Sequence, residues 1–237
     1  MKLILSALLL TAISAFAADN VATTPVQRPE PGSQQRHAKF NEISKEGKAQ
    51  LVFLGDSITQ GWEGAGKATW DKHWAALDAA GFGVGGDRTE HVLWRLDNGN
   101  FDGLKPKTIV LMIGTNNTGH QGRDGYTCSA EDTASGIKAI IAKLQAKCPE
   151  AKILLLAIFP RGLNAEDKFR NQNDATNAII KGYADDKKVF FMDIGSKFMQ
   201  PDSTLSPEIM PDKLHLSPKG YDIWAEAIEP KVKELMK

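Results

Sequence analysis

Four short polar segments of this 237-residue chain carry side chains that could take part in catalysis. They are Gly55-Asp56-Ser57, the glycine-rich stretch that ends at Gly86, Gly114-Thr115-Asn116, and the stretch from Asp212 to His215. A serine hydroxyl becomes an effective nucleophile only when a neighbouring base accepts its proton. Glycine N–H groups and an asparagine amide are donors that can stabilise a developing oxyanion. Together these residue types predict acyl transfer through a serine nucleophile.

His215 is the best candidate for the base that Ser57 needs. It is the one histidine of five that stands three positions after an acidic residue, Asp212. Residues at i and i+3 lie on the same side of a helical turn, so the carboxylate can reach the imidazole. It would fix the tautomer and stabilise the imidazolium formed during attack. We predict a triad of Ser57, Asp212 and His215, with the Ser57 N–H, the Gly86 N–H and the Asn116 amide as oxyanion donors.

The elements around these segments alternate between short apolar runs and helical patterns. Strands are predicted at 50–54, 82–84, 108–113, 152–159 and 188–193, and helices at 69–78, 88–97, 129–147, 167–183 and 219–236. This alternation indicates βαβ units and a three-layer, flavodoxin-like α/β fold with a five-stranded parallel sheet. Functional groups of such sheets collect at the carboxyl ends of the strands. The candidate segments follow predicted strands or precede the last helix, and we expect them to meet there.

The beginning of the chain predicts export. Lys2 precedes an apolar run that ends in Ala15-Phe16-Ala17, which is typical of a secretory signal peptide over residues 1–17. The run is too short to span a bilayer comfortably, since about 20 apolar residues are needed. We expect a secreted or periplasmic protein without a stable membrane anchor. Residues 18–36 are polar and proline-containing, which predicts an extended arm, and residues 37–237 are expected to form one domain.

The composition restricts the class of partner. Lys and Arg together number 29, as do Asp and Glu, so nothing favours nucleic acid, which would need a basic excess. His37, His73 and His120 show no zinc-ligand spacing, so their positions do not indicate a zinc site. Cys128 and Cys148 flank a predicted helix whose ends lie about 30 Å apart, which argues against a disulfide between them.

Single motifs of this sequence also allow interpretations other than catalysis. Gly81, Gly83 and Gly86 satisfy G-x-G-x-x-G, but the motif follows the second strand, and the next strand ends without the acid that would hold a ribose. Gly-Asp-Ser could be a simple turn, and Asp212 with His215 could be a capping pair. Three residues on one predicted helix are interpreted as packing and surface positions rather than catalytic ones: His91, Trp94 and Arg95.

Taken in order, the four segments resemble the sequence blocks of SGNH/GDSL hydrolases. Segments 83–87, 91–99, 114–117 and 160–162 further resemble the catalytic subunits of intracellular platelet-activating-factor acetylhydrolase. The resemblance implies a flavodoxin-like fold and hydrolysis of small acyl esters, often acetyl, without metal or cofactor. It also implies the triad and oxyanion donors named above. One departure is Gly81, where those acetylhydrolases have Asn before Phe-Gly, so the loop after the second strand differs.

Three hypotheses about function follow. The first is a secreted serine esterase that removes small acyl groups, above all acetyl, from carbohydrates, with a small-molecule or glycan ester as its substrate. The second is a short-chain phospholipid or general ester acylhydrolase. The third is a catalytically silent glycan-binding protein that has kept the fold, against which the complete set of catalytic residue types argues.

Overall fold

A five-stranded parallel sheet organises the chain in a computed structural model, which describes residues 20–119 and 127–237. The predicted signal peptide and His120 lie outside the described residues. The strands are β1 Leu51–Gly55, β2 Ala79–Gly83, β3 Thr108–Met112, β4 Lys152–Leu156 and β5 Val189–Met192. The strand order is β2-β1-β3-β4-β5, and every neighbouring pair is parallel. The predicted fold class is confirmed, and the structure supplies the strand order that periodicity alone did not fix.

Helices cover both faces of this sheet because each central strand is apolar on both sides. Val52 and Leu54 point into one hydrophobic cluster, whereas Leu51 and Phe53 point into the other. The helices are α1 Pro31–Glu46, α2 Ser57–Gln60, α3 Lys67–His73, α4 Thr89–Asp97, α5 Ala130–Lys147, α6 Lys168–Ile180 and α7 Pro218–Leu235. The first cluster lies under α1, α4, α5 and α6. The second lies under α7 and contains three fully buried tryptophans, Trp62, Trp74 and Trp224.

The N-terminal region corrects one prediction. Residues 18–36 were expected to form an extended arm, but α1 begins at Pro31, within that range. Proline is favoured in the first turn of a helix, where its missing N–H leaves no hydrogen bond unmade. The helix lacks a broad apolar stripe, since only Phe40 and Ser44 of its 16 residues are buried, and this hid it from periodicity. Between Asn20 and Glu30 the chain forms one short 3-10 turn, Val21–Thr23, and no other helix or strand.

Smaller corrections concern element ends. The predicted helix 69–78 is an α-helix only to His73, followed by the 3-10 turn Ala75–Leu77 and a left-handed Asp78 with φ 49°. The predicted fourth strand continues to 159, whereas β4 ends at Leu156. The short helix α2 was not predicted, because four residues are too few to show a 3.6-residue period. Cys128 and Cys148 are both buried and form no disulfide with each other.

Within residues 20–119 and 127–237, no helix is both long and apolar enough to cross a membrane.

Candidate active site

The topology brings three of the predicted segments to one place. β1 lies between β2 and β3, so the chain leaves β1 in one direction and returns on its other side. Such a switch point opens a crevice at the carboxyl ends of the strands. Ser57 follows β1, Gly86 follows β2, and Asn116 follows β3, so the loop from each neighbouring strand flanks the serine.

The turn that carries Ser57 is tightly constructed. Asp56 caps α2, and its Oδ1 accepts a hydrogen bond from the Ile58 N–H at 2.9 Å. Ser57 is the first residue of that helix. Gly55 must be a glycine, because a Cβ there would lie 2.2 Å from Thr59 Oγ1 and 2.3 Å from the Met112 carbonyl oxygen. This close approach lets the chain turn from the buried strand and present the Ser57 side chain at the sheet edge.

Ser57, His215 and Asp212 form one continuous chain of hydrogen-bonding groups. Ser57 Oγ lies 2.9 Å from His215 Nε2, and His215 Nδ1 lies 2.6 Å from Asp212 Oδ2. The His215 backbone N–H also donates to Asp212 Oδ1 at 2.7 Å. When Nδ1 carries the ring proton and donates it to the carboxylate, Nε2 is unprotonated, and its lone pair can accept the Ser57 proton. The structure thus brings together all three residues of the predicted triad.

The Asp212 carboxylate is held in its charged form. Partial burial raises its pKa, but hydrogen bonds from the His215 ring and from the His215 and Leu214 N–H groups outweigh burial and lower it. The pair is also open to solvent, since 42% of the His215 side chain and 56% of the Asp212 side chain are exposed. An ionised carboxylate on Nδ1 stabilises a protonated imidazole, which is the state that forms when Ser57 loses its proton.

The three predicted oxyanion donors lie on Ser57 itself and on the loops that follow β2 and β3. Gly86 has φ 78°, a left-handed conformation that glycine adopts without strain, and its N–H meets no acceptor among the described residues. The same holds for the Ser57 N–H. Asn116 is 8% exposed and donates from Nδ2 to the Asp87 carbonyl oxygen at 2.9 Å. That bond uses one of its two amide protons and fixes the direction of the other.

Side chains that the sequence analysis did not select hold the loop between β2 and α4. Gln60 Oε1 accepts from the Gly85 N–H at 2.7 Å. Arg36 Nε donates to the Gly83 carbonyl oxygen at 2.8 Å, and Arg28 Nη1 donates to the Gly85 carbonyl oxygen at 3.2 Å. Hydrogen bonds to backbone groups follow no sequence period, so no local pattern could have identified these residues.

A buried ion pair between Asp87 and Arg95 also holds the loop between β2 and α4. Asp87 is fully buried, and its Oδ2 accepts from Arg95 Nε at 2.9 Å. Burial raises the pKa of Asp87, although the charges of Arg95 and Arg28 act in the opposite direction. Arg95 was predicted to be a packing or surface residue. It is a buried packing residue, with a structural role next to the candidate site.

Another arginine connects the remaining two loops. Arg161 is buried, and its Nη1 donates to the Thr115 carbonyl oxygen at 2.9 Å and to the Gly119 carbonyl oxygen at 3.1 Å. The next residue, Gly162, donates its N–H to the Lys213 carbonyl oxygen at 2.9 Å. Segment 161–162 therefore joins the loop of Asn116 to the loop of Asp212 and His215. Its sequence was noted only as part of the family resemblance.

The last helix also supports the serine turn. Tyr221 of α7 is buried, and its Oη donates to the Ile58 carbonyl oxygen at 2.6 Å. Gly61 and Gly66 approach the same ring so closely that a Cβ at either would lie less than 3 Å from it. Because the His215 loop leads directly into α7, this contact connects the segment that carries the base to the turn that carries the nucleophile.

Two of the other histidines, His91 and His37, take part in packing rather than in the site. His91 is buried, and its Nδ1 accepts from the Arg88 N–H at 3.0 Å. Burial, together with the charges of Arg88 and Arg28, lowers its pKa to about 3. His37 lies against the half-buried Trp94, with ring centroids 4.8 Å apart. Within the described ranges, no three His, Cys, Asp or Glu side chains are grouped as metal ligands would be.

Comparison with known proteins gives the family. The model of the GDSL-like lipase/acylhydrolase family matches residues 53–223. Platelet-activating factor acetylhydrolase IB subunit alpha1 of Bos taurus is 36% identical over 203 residues, which is 84% of this chain and 82% of the relative. Subunit alpha2 of Rattus norvegicus is 35% identical over 187 residues, 78% of this chain and 77% of the relative.

Solved structures share the fold. A GDSL-like lipase from Bacteroides thetaiotaomicron superposes with a TM-score of 0.68 at 22% identity, covering 86% of this chain and 99% of that one. The acetyl xylan esterase AlAXEase superposes with a TM-score of 0.63 at 22% identity, covering 77% and 98%. The match to the GDSL-like lipase/acylhydrolase family identifies the chain as a carboxylic ester hydrolase. By the extent of the family match and the identity to its relatives, the chain belongs to the GDSL-like lipase/acylhydrolase family.

Proposed function

We propose that this protein is a secreted serine esterase that removes acetyl groups from carbohydrates, with Ser57 as nucleophile, His215 as base and Asp212 as its orienting carboxylate. One observation carries the proposal. The hydroxyl, the imidazole and the carboxylate stand in hydrogen-bonding order, at 2.9 Å and 2.6 Å, on the switch-point edge of the sheet.

Acylation begins at Ser57. Its Oγ attacks the ester carbonyl carbon while His215 Nε2 takes the hydroxyl proton, and Asp212 stabilises the imidazolium through Nδ1–H. The carbonyl oxygen becomes an oxyanion that accepts hydrogen bonds from the Ser57 and Gly86 N–H groups and from the Asn116 amide. When the tetrahedral intermediate collapses, His215 gives the proton to the leaving alcohol, and the acyl group remains on Ser57.

Deacylation repeats these steps with water. His215 Nε2 takes a proton from a water molecule that attacks the acyl-serine carbonyl, and the same donors hold the second oxyanion. Collapse returns the proton from His215 to Ser57 Oγ and releases the carboxylic acid. The cycle restores every protein group to its starting state.

The surroundings of Ser57 favour a small acyl group and a large alcohol. On one side lies the backbone of the loop from Gly83 to Gly86, which we call the glycine loop. A Cβ built on Gly85 would stand 3.8 Å from Ser57 Cβ, so little space remains there. On the other side the His215 side chain is 42% exposed, so a bulky leaving group can approach it. An acetylated sugar combines a small acyl group with a large alcohol.

Carbohydrate is favoured as the alcohol by two further considerations. AlAXEase, which shares the fold, is an acetyl xylan esterase. The apolar run before Ala17 is typical of a signal peptide, and an exported esterase meets polysaccharide more readily than a cytosolic phospholipid. Both considerations concern the substrate rather than the reaction.

A phospholipid ester is the second candidate. The identity of 36% to a platelet-activating factor acetylhydrolase subunit favours it, because that relative covers most of this chain. The two candidates share the acetyl group and differ in the alcohol.

A substrate panel distinguishes these two candidates. Purified protein is assayed for acetate release from acetylated xylan, from an acetylated monosaccharide and from a 2-acetyl phospholipid at equal acetyl concentration. We expect the carbohydrate esters to show the higher kcat/KM, with Ser57→Ala as the blank in each arm. A higher kcat/KM for the acetyl phospholipid would replace carbohydrate by phospholipid in the proposal. Acetate release by Ser57→Ala at the unmutated rate would reject the mechanism.

A further inference from the structure

Residues 20–30, which precede α1, lie outside the matched family region, residues 53–223, yet they are fixed to the core beside the site. Ala22 is fully buried, and its carbonyl oxygen accepts a hydrogen bond from Thr89 Oγ1 at 2.8 Å. Four residues later the Val26 N–H donates to the Glu90 carbonyl oxygen at 3.1 Å. The segment is thus anchored at two points on α4, and the next residues extend toward the glycine loop.

Arg28 is the side chain that this segment directs to the loop. Its Nη1 donates to the Gly85 carbonyl oxygen at 3.2 Å and lies 3.6 Å from Asp87 Oδ1. Its Nε is held by Glu30 Oε2 at 2.8 Å, and the side chain is only 19% exposed. A Cβ built on Gly86 would lie 3.0 Å from Nη1, so the guanidinium stands directly against the Gly86 backbone.

The Gly85 carbonyl and the Gly86 N–H belong to the same peptide group. That group is trans and planar, so its C=O and its N–H point in opposite directions. A donor fixed on the oxygen therefore fixes the direction of the N–H on the other side. A cationic donor on the oxygen also polarises the peptide, which strengthens the hydrogen bond that its N–H can give.

From this geometry we propose that Arg28 is a positioning residue for the oxyanion hole, acting through the Gly85–Gly86 peptide. The inference rests on the proposed function, in which the Gly86 N–H stabilises the oxyanion. Gln60 holds the preceding peptide through the Gly85 N–H at 2.7 Å, so both peptides that meet at Gly85 are fixed by side chains. Arg28 does not touch the reacting atoms. It sets the direction and strength of a donor that does.

Arg36 provides a matched control. Its side chain is 18% exposed, close to the 19% of Arg28, and it also donates to a carbonyl of this loop, that of Gly83. The N–H that shares a peptide with the Gly83 carbonyl is that of Val84, which donates to the Gly55 carbonyl oxygen at 3.2 Å and is not an oxyanion donor. A general loosening of the loop should affect both variants, whereas oxyanion positioning should affect only one.

The test compares Arg28→Gln, Arg28→Lys and Arg36→Gln with the unmutated protein on one acetyl ester. Loss of an entire oxyanion donor lowers kcat by about 10²–10³-fold, so misdirection of one donor should lower it on the order of 10-fold. We expect that loss in Arg28→Gln with KM within about twofold, partial recovery in Arg28→Lys, and a kcat within about threefold of unmutated for Arg36→Gln.

A second readout follows the oxyanion itself. A methyl trifluoromethyl ketone forms a reversible hemiketal with Ser57 whose oxyanion occupies the same donors, whereas the product alcohol does not. Inhibition by the ketone should weaken in Arg28→Gln by the same factor as kcat/KM, and inhibition by the alcohol should not change.

The outcomes separate the two proposals. An unmutated kcat and ketone affinity in Arg28→Gln would overturn the role of Arg28. Equal losses in Arg28→Gln and Arg36→Gln, or a lowered Tm with kcat unchanged, would make the role of Arg28 purely structural and also overturn it. If Ser57→Ala instead keeps full activity, the proposed function itself has failed, whatever the Arg28 variants show.

Discussion

Ser57, His215 and Asp212 sit where their interaction contributes little to folding. Exposed ion pairs are worth about 0–1 kcal/mol, and 56% of the Asp212 side chain is exposed. A carboxylate held at 2.6 Å from Nδ1 at so exposed a position therefore serves orientation rather than stability. It follows that substitutions in this triad should change rate without changing the folded state.

The first prediction concerns the nucleophile. Ser57→Ala should lower kcat on an acetyl ester by on the order of 10⁴-fold or more, because the hydroxyl that forms the acyl bond is gone. Tm should stay within a few degrees of the unmutated value. Ser196→Ala, an exposed serine in the 3-10 turn Gly195–Phe198, is the matched control and should keep full activity. Mass spectrometry after reaction with an organophosphorus reagent should find the adduct on Ser57, and an adduct elsewhere would contradict the assignment.

The second prediction concerns Asp212. Its pKa lies below the ordinary value, so the carboxylate stays ionised across the mildly acidic range and keeps its charge beside the imidazole there. Asp212→Asn should lower kcat/KM by about 10³–10⁴-fold, because the imidazolium that forms during attack has lost its stabilising charge and the carboxylate no longer fixes the tautomer of the ring.

Asn116→Ala is the control for that experiment. It removes an oxyanion donor and leaves the base and its carboxylate in place, so kcat should fall by about 10²-fold, less than in Asp212→Asn. An Asp212→Asn protein with the unmutated rate would show that Asp212 only caps the turn before α7.

The sequence predicted these catalytic candidates because catalysis demands particular residue types at strand ends. It did not predict the residues that hold them. Arg28 and Arg161 donate to backbone carbonyl oxygens, and Gln60 accepts from a backbone N–H, in each case from an element that is distant in the chain. A hydrogen bond to a backbone group leaves no periodic or motif signal. Only the folded backbone shows which carbonyl an arginine can reach.

At the scale of single elements, α2 depends on one buried carboxyl group. Asp56 is fully buried, its Oδ1 caps the helix, and its Oδ2 has no hydrogen-bond partner among the described residues. Burial raises the pKa of Asp56 to about 7, against the opposing effects of the Ile58 N–H and the charges of His215 and Arg161. The cap of the nucleophile helix is therefore a group that titrates near neutral pH.

The third prediction follows from that shift. An unfolded Asp titrates near about 3.9, so between about pH 4 and 7 the folded protein keeps a proton that the unfolded chain has lost. This group's contribution to the free energy of unfolding therefore falls as pH rises through that window and is constant above it. Asn caps helices about as well as Asp, so Asp56→Asn should keep the cap and lose this pH dependence.

Denaturant unfolding of both proteins between pH 4.5 and 8 gives the measurement. The stability of Asp56→Asn relative to the unmutated protein should rise by a few kcal/mol, at about 1.4 kcal/mol per pH unit at most. Other carboxyl groups contribute alike to both proteins and cancel in the difference. A difference that stays constant with pH would show that Asp56 is already ionised at the low end of the range.

Elements with strong patterns were predicted, and weakly patterned ones were not. The buried strand β3, with every residue apolar or β-branched, was placed to within one residue. Helix α1 was missed because only Phe40 and Ser44 of its 16 residues are buried, which leaves no helical period of apolar residues. The helix 69–78 was predicted too long because Trp74 and Leu77 continue the apolar face although the backbone has already changed to a 3-10 turn.

At the scale of the whole molecule, the site is asymmetric. The glycine loop is fixed against Ser57 on one side, whereas the side of His215 opens to solvent. The chain as a whole has no excess charge, with 29 basic and 29 acidic residues, so its net charge does not attract anionic or cationic substrates over a long range. We expect selection to depend on the space beside Ser57, where the backbone of the glycine loop lies close. The sequence could not show this space because backbone position sets it.

The last prediction tests the space beside Ser57. Along a series of p-nitrophenyl esters from acetyl to octanoyl, kcat/KM should fall steeply, because each methylene that a closed acyl side cannot accept can change discrimination by roughly 1–3 kcal/mol. The leaving group is the same throughout, so the open side near His215 contributes equally to every member. Ser57→Ala supplies the background rate for each ester, and initial rates below the solubility limit keep micelles out of the comparison. If the octanoyl ester were hydrolysed at the acetyl rate or faster, the predicted preference for short acyl groups would be wrong. The acyl chain would then extend from Ser57 in a direction that does not pass Gly85.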